Sequence, residues 1–275
     1  RSLYRSIFTK VAILAVTPIV TIAMLVYGLL IPEINQRVNE ENQALTRAIQ
    51  VQVELFLKAP QLVLNGIGAE IQSLPDISYQ DIRRILDAQI EKNRAFDSLY
   101  LVDNSDHIQE MGLPVQRRAY RDDYLGLALT KSRFISEARR RQSPYWSNTF
   151  LSMVSGKTSL ALALPIHNKV LVGEFSIEQL SRFIQQIKAE NSLLVIITDQ
   201  LGQIIAHPEP GIAARQRNIS NLPIVKAALA ERALTQEFKL ANIEYIGSSL
   251  PIPEMGWSVL AARPLDLALR DIQAI

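Results

Sequence analysis

Residues 143–176 read SPYWSNTFLSMVSGKTSLALALPIHNKVLVGEFS, and this stretch decides the fold class. Three apolar runs, Tyr145–Met153, Thr158–Pro165 and Val170–Phe175, have strand length. Ser155-Gly156-Lys157 and His167-Asn168-Lys169 between them are turn chemistry. Connections this short join antiparallel neighbours, because a parallel crossover needs a dozen or more residues. Alternation along the first run puts Trp146, Phe150 and Ser152 on one face.

Working outward, the periodicity predicts an amphipathic helix on either side, near Lys131–Arg141 and over Ile177–Lys188. Upstream lie a strand at Phe96–Val102, a turn at Asp103-Asn104-Ser105-Asp106 and a strand at His107–Met111, followed by an irregular crossing segment to about Thr130. Downstream the pattern recurs in shortened form. Strands are predicted at Leu193–Thr198, Gln203–His207, Leu234–Leu240, Glu244–Leu250 and Trp257–Ala262, with a helix near Leu222–Glu231. Superposing Asp103 on Asp199 brings Ile108 onto Ile204, and Leu164-Pro165-Ile166 lies over Leu250-Pro251-Ile252. Two antiparallel sheets backed by helices make an α+β architecture built by duplication.

Ahead of both units, Ile34, Val38, Leu45, Ile49, Val53, Phe56 and Leu57 recur at helical spacing, which predicts one long helix from Glu33 to Leu74, kinked at Pro60 and ended by Pro75. A second helix, Tyr79–Asn93, follows, capped by Asp76 or Ser78. Before the long helix, Val11–Ile31 is an uncharged run whose helical length of about 30 Å matches a bilayer core. Arg1, Arg5 and Lys10 precede it and Glu33, Glu40 and Glu41 follow, so the positive-inside rule places residues 1–10 in the cytoplasm, a transmembrane helix at 11–32, and everything later outside. The run is longer than a signal-peptide core and lacks a small-residue cleavage site.

With these elements in order, the chain resembles the double Cache sensor domain of bacterial transmembrane receptors over about residues 33–275. The phrases that carry the likeness are Ser143–Ser152, Ser155-Gly156, Ser159–Ile166 and Val170–Ser176, echoed by Ile197-Thr-Asp-Gln-Leu-Gly-Gln-Ile and Gly256-Trp-Ser-Val-Leu-Ala in the second half. The resemblance implies stalk and packing helices at 33–95, a membrane-distal PAS-like module at 96–190, a membrane-proximal one at 191–263, and a terminal helix, 264–275, leading to a second membrane helix. It implies a periplasmic ligand sensor in the inner membrane of a bacterium, feeding a histidine kinase or diguanylate cyclase, or a chemoreceptor. A membrane-tethered periplasmic enzyme or assembly factor is the alternative from another class. The chain is read as a fragment, with the output module downstream.

Nothing in the sequence announces catalysis. With 29 basic against 27 acidic side chains there is no excess field for nucleic acid. The absence of cysteine excludes disulfides, thiolate catalysis and cysteine-ligated metals. Ser155-Gly156-Lys157-Thr158 ends like a phosphate loop, but Leu151 stands where the first glycine is required. His107, His167 and His207 lack metal-ligand spacing. Asp122-Asp123 and Arg139-Arg140-Arg141 read as solvated charge. No cofactor is expected.

The resemblance places a small-molecule ligand in the distal module, between the sheet and the crossing segment. Tyr100, Trp146, Phe150 and Ser152 are the candidate lining. Glu174 is similar to the acid that holds ligand amines in amino-acid-binding members. Their Arg-x-Trp-Tyr phrase is matched here by Arg121-Asp122-Asp123-Tyr124, with Asp123 in place of Trp, and Ser152 replaces a carboxylate. These departures point away from amino acids toward another small polar or organic ligand, with Arg121, Asp123 and Tyr124 as its contacts from the crossing segment. The stripe Ile34, Val38, Leu45 and Ile49 is read as the seam of a homodimer formed through the stalk, with packing within one subunit as the competing explanation.

Overall fold

The computed structural model describes residues 16–18, 20–22, 24–25, 28, 31–74, 76–93, 96–191, 193–209 and 211–268. Helix α1, Ile31–Ser73, runs through Pro60 and is about 65 Å long at ~1.5 Å per residue. Its inner stripe, Leu45, Ile49, Val53, Leu57, Leu64, Ile67 and Ile71, packs into the chain's own core. Of the two readings of the stripe, packing within one subunit holds at two positions. Leu45 and Ile49 face this protomer's own body, and the side chains of Ile34 and Val38 lie outside the described residues. Among the described residues no helix is long and apolar enough to cross a membrane. About half of the expected span at 11–31 lies outside them, as do all of residues 1–10 and the terminal helix beyond residue 268.

Helix α2, Tyr79–Lys92, starts at Ser78, whose hydroxyl accepts from the Asp81 amide and donates to the Asp81 carboxylate. Its buried face, Ile82, Leu86 and Ile90, covers β1 (Ser98–Val102) and β2 (Ile108–Gly112). The crossing segment is a 3₁₀ helix, Val115–Asp123, rather than irregular chain. After α3 (Arg133–Arg141) come β3 (Tyr145–Trp146), β4 (Phe150–Leu151), β5 (Thr158–Ile166), β6 (Lys169–Ser176) and α4 (Ile177–Asn191). The second half supplies β7 (Leu194–Thr198), β8 (Ile204–Ala206), α5 (Pro223–Leu229), β9 (Leu234–Leu240), β10 (Ile243–Ile252) and β11 (Trp257–Pro264).

The first sheet runs β2-β1-β6-β5-β3, with β4 also on β5; the second runs β8-β7-β11-β10-β9. All pairings are antiparallel, and the orders correspond strand for strand. The likeness reaches single residues. A register shift falls between Leu101 and Val102 and again between Ile197 and Thr198. Asp103 and Asp199 then close the same turn, each accepting two amide hydrogen bonds from the residues two and four positions on. The α+β duplication read from the sequence is therefore what the chain builds.

Both faces of the first sheet are buried, and strand alternation sorts them. Leu99, Leu101, Leu160 and Leu162 point toward the core shared with α1. Tyr100, Val102, Ala161, Ala163 and Val172 point the other way, toward α3 and the crossing segment. Alanines fill less space than leucines, and it is on their face that a cavity opens.

Candidate functional site

Glu174, near the end of β6, faces the alanine side and lies opposite Ala161 across the strands. Only 5% of it is exposed. The Tyr100 hydroxyl donates to its Oε1 at 2.8 Å and the Ser152 hydroxyl to its Oε2 at 2.6 Å. Ser152 is held for this task, since its oxygen also accepts from the Val154 and Ser155 amides at 3.2 and 3.1 Å. Burial raises the Glu174 pKa and the two hydroxyls oppose the rise. Tyr100 is pushed well above its usual range, first by burial and then by the neighbouring carboxylate.

Glu174 and Tyr100 line a cavity of about 390 Å³. One wall is the edge of the sheet, Tyr145 and then Ser147–Leu151; the other is the start of α3, Lys131, Ser132, Arg133 and Phe134. Phe134 and Phe150 stack across it, with ring centroids 5.7 Å apart. Lys131 and Arg133 are exposed and form no ion pair among the described residues. Cations at a helix start oppose the helix dipole, so their presence there marks an end of the cavity suited to an anion. The cavity is thus acidic where it is buried and basic where it is open.

Three of the expected residues line this space: Tyr100, Phe150 and Glu174. Ser152 stands behind Glu174 and fixes it. Trp146 does not join them. Four positions separate Trp146 from Phe150, but their partners Leu162 and Ser159 are three apart, so one residue is bulged out and the alternation changes face. Trp146 therefore turns into the α1-side core, edge-on to Phe175 at 5.2 Å and to Trp257 of β11 at 5.7 Å.

The crossing-segment contacts are also corrected. One terminal nitrogen of Arg121 binds both carboxylate oxygens of Asp87 on α2, at 2.6 and 2.7 Å, and Arg121 is 8% exposed. Asp123 is exposed to solvent and Tyr124 packs against the apolar cluster; neither lines the cavity. The stretch that reaches it is Lys131-Ser132-Arg133-Phe134, which sequence reasoning read only as the start of a helix. The two cations flanking the Ser132 cap, Lys131 and Arg133, were the available signal.

Comparisons with known proteins agree on the fold. The Cache domain family model dCache_1 matches residues 31–272. No curated protein matches the sequence. Similar solved structures include the sensory domain of the Campylobacter jejuni chemoreceptor Tlp3 with isoleucine bound (TM-score 0.65, 17% identity, 86% of this chain and 96% of that one). The ligand-binding domain of the Pseudomonas fluorescens chemoreceptor CtaA with L-isoleucine is another (0.63, 14%, 90% and 99%). A third is the extracellular domain of the putative histidine kinase rpHK1S-Z16 (0.69, 13%, 85% and 97%). At these identities the likeness is one of fold.

Proposed function

Since the chain belongs to the Cache-domain family, we propose that it is the extracytoplasmic ligand-sensing region of a membrane signal-transduction receptor, binding a small organic molecule in the cavity of the first sheet. The observation that carries this reading is Glu174, a buried carboxyl lining a cavity and held in place by two hydroxyls. Asp87, by contrast, is spent on the Arg121 cation, and Asp199 on the amides of its turn. The opposite end of the cavity offers Lys131 and Arg133. A ligand with a hydrogen-bond-donating or cationic group and an anionic group suits both ends. Amino acids have these groups, and the argument against them weakens once Arg121–Tyr124 are placed outside the cavity. Small organic acids and amines belong in the same screen.

The second sheet carries no matching acid, because pairing register equates Glu174 with Ala262. The ligand site is therefore assigned to the first unit, residues 96–190, taken as the membrane-distal module, with 191–263 as the proximal one. The receptor is of histidine kinase or diguanylate cyclase type; the chemoreceptors among the similar structures favour a chemoreceptor as the second reading. Residues 11–31 serve as the membrane anchor. Dimerisation is assigned to the outer face of α1, where Val51, Leu55 and Leu62 are exposed. With Ala48 and Lys58 they fall at a and d positions of a heptad.

The test is a thermal-shift screen of amino acids, organic acids and amines. A compound that binds only the native state stabilises it by about 2.7 kcal/mol at a hundredfold excess over its Kd. Glu174→Gln should abolish the shift, whereas Arg121→Ala should lower the unliganded Tm and keep it. A hit that responds to Arg121→Ala and ignores Glu174→Gln would move the site elsewhere.

A further inference from the structure

The duplication provides an internal control for the cavity wall. In the second sheet the edge strand β9 pairs with β10 without interruption, from Leu234 opposite Ser249 to Leu240 opposite Ile243. Its counterpart in the first sheet is broken at Ser147-Asn148-Thr149, and all three of these residues line the cavity. Ser147 stays tied to β5: its amide donates to the Ala161 carbonyl and its hydroxyl accepts from the Ala161 amide, both at 2.8 Å. Asn148 keeps a buried side-chain oxygen with no hydrogen-bond partner.

Thr149 reaches the other way. Gln216 donates to its hydroxyl oxygen at 2.9 Å, and that hydroxyl donates to the Gln203 side-chain oxygen at 3.4 Å. Both glutamines belong to the second unit. Gln203 closes the Asp199 turn that leads into β8, and Gln216 ends the short 3₁₀ helix Ala213–Arg215 in a left-handed conformation. Just before the break, Trp146 meets Trp257 at the first position of β11. Residues 147–149 therefore line the cavity, while Trp146 and Thr149 reach the second unit.

We propose that this broken edge strand is the relay that passes occupancy of the cavity to the second unit, through the Thr149 hydroxyl and the Trp146–Trp257 contact. The inference rests on the reading of the cavity as the ligand site. An occupant that engages Asn148 pulls on the two residues, Asn148 and Thr149, that lie between the Ser147 tie and the β4 pairing. The segment's links to the second unit are neutral, and one is long, so a small displacement breaks or shortens them. Packed elements answer such displacements with shifts of about 1–2 Å.

The chain has no cysteine, so Ser132→Cys gives the full chain a single thiol on the cavity wall, and N-ethylmaleimide attached there stands in for an occupant. Hydrogen exchange read by mass spectrometry over residues 203–206 and 213–219 reports on the second unit. Modification should shift deuterium uptake in both peptides, and Thr149→Val in the same background should remove the shift. Gln216→Ala, at a half-buried surface position, is the second variant should Thr149→Val fold poorly. Complete modification with unchanged uptake would overturn the proposal, as would an equal shift in both variants. The probe is covalent, so a failed ligand screen would count against the cavity as a binding site and not against the relay.

Discussion

Glu174 accepts hydrogen bonds from Tyr100 and Ser152, yet burial still raises its pKa above the ordinary value. A carboxyl with a higher pKa folded than unfolded binds its proton more tightly in the folded state. Its stabilising contribution is present below the unfolded value of 4.5 and is lost as pH rises through the raised folded one. The unliganded chain should lose stability across that window, and Glu174→Gln should flatten the loss, as read from urea midpoints at successive pH values. Asp199, also raised by burial, keeps its own share of the slope; an unchanged profile in Glu174→Gln would show that the Glu174 carboxyl is not strained. At this scale the sequence was partly legible. Tyr100 and Glu174 sit on regular strands and were pointed to by the family resemblance, whereas the alternation that placed Phe150 is broken by the bulge after Trp146. Arg121 was misread because its partner Asp87 lies on α2, and tertiary packing, not local pattern, brings the two together.

The elements themselves were legible to within a few residues, because an amphipathic period of 3.6 or 2 survives in a sequence whatever it packs against. The interruption between β3 and β4 was not, since one extra residue in a strand leaves no trace in the apolar pattern. Close approach of elements was equally hidden. At Gly112, the last residue of β2, a Cβ would stand 2.6 Å from the Leu86 backbone of α2. Gly112→Ala should therefore push α2 off the sheet at a cost of about 1–3 kcal/mol. A chemical denaturation curve with an unshifted midpoint would show that α2 can retreat freely. Of the two caps the sequence offered for the same helix, Asp76 and Ser78, the chain uses Ser78; capping is local chemistry.

On the scale of the whole molecule, α1 packs on both sheets, touching β5 and β6 of the first and β9, β10 and β11 of the second, and α4 also bridges them, touching β5 and β6 and then β7 and β8. Its inner stripe was visible in the sequence but left two partners open, since periodicity marks a buried face without saying what buries it. The outer face now carries the dimer proposal. Single cysteines at Ala48, Val51, Leu55 and Leu62 should cross-link in membranes, while cysteines at Ile49, Val53 and Leu57 should not; the reverse pattern would return the seam to the inner face. The central claim is that the first-sheet cavity, and not the second unit, receives the ligand. Its most direct measurement is a crystal structure of the chain with a compound found by thermal shift. The account predicts density for that compound between Glu174 and the Lys131–Arg133 end of the cavity; density among the second-sheet residues, with the cavity unfilled, would contradict it.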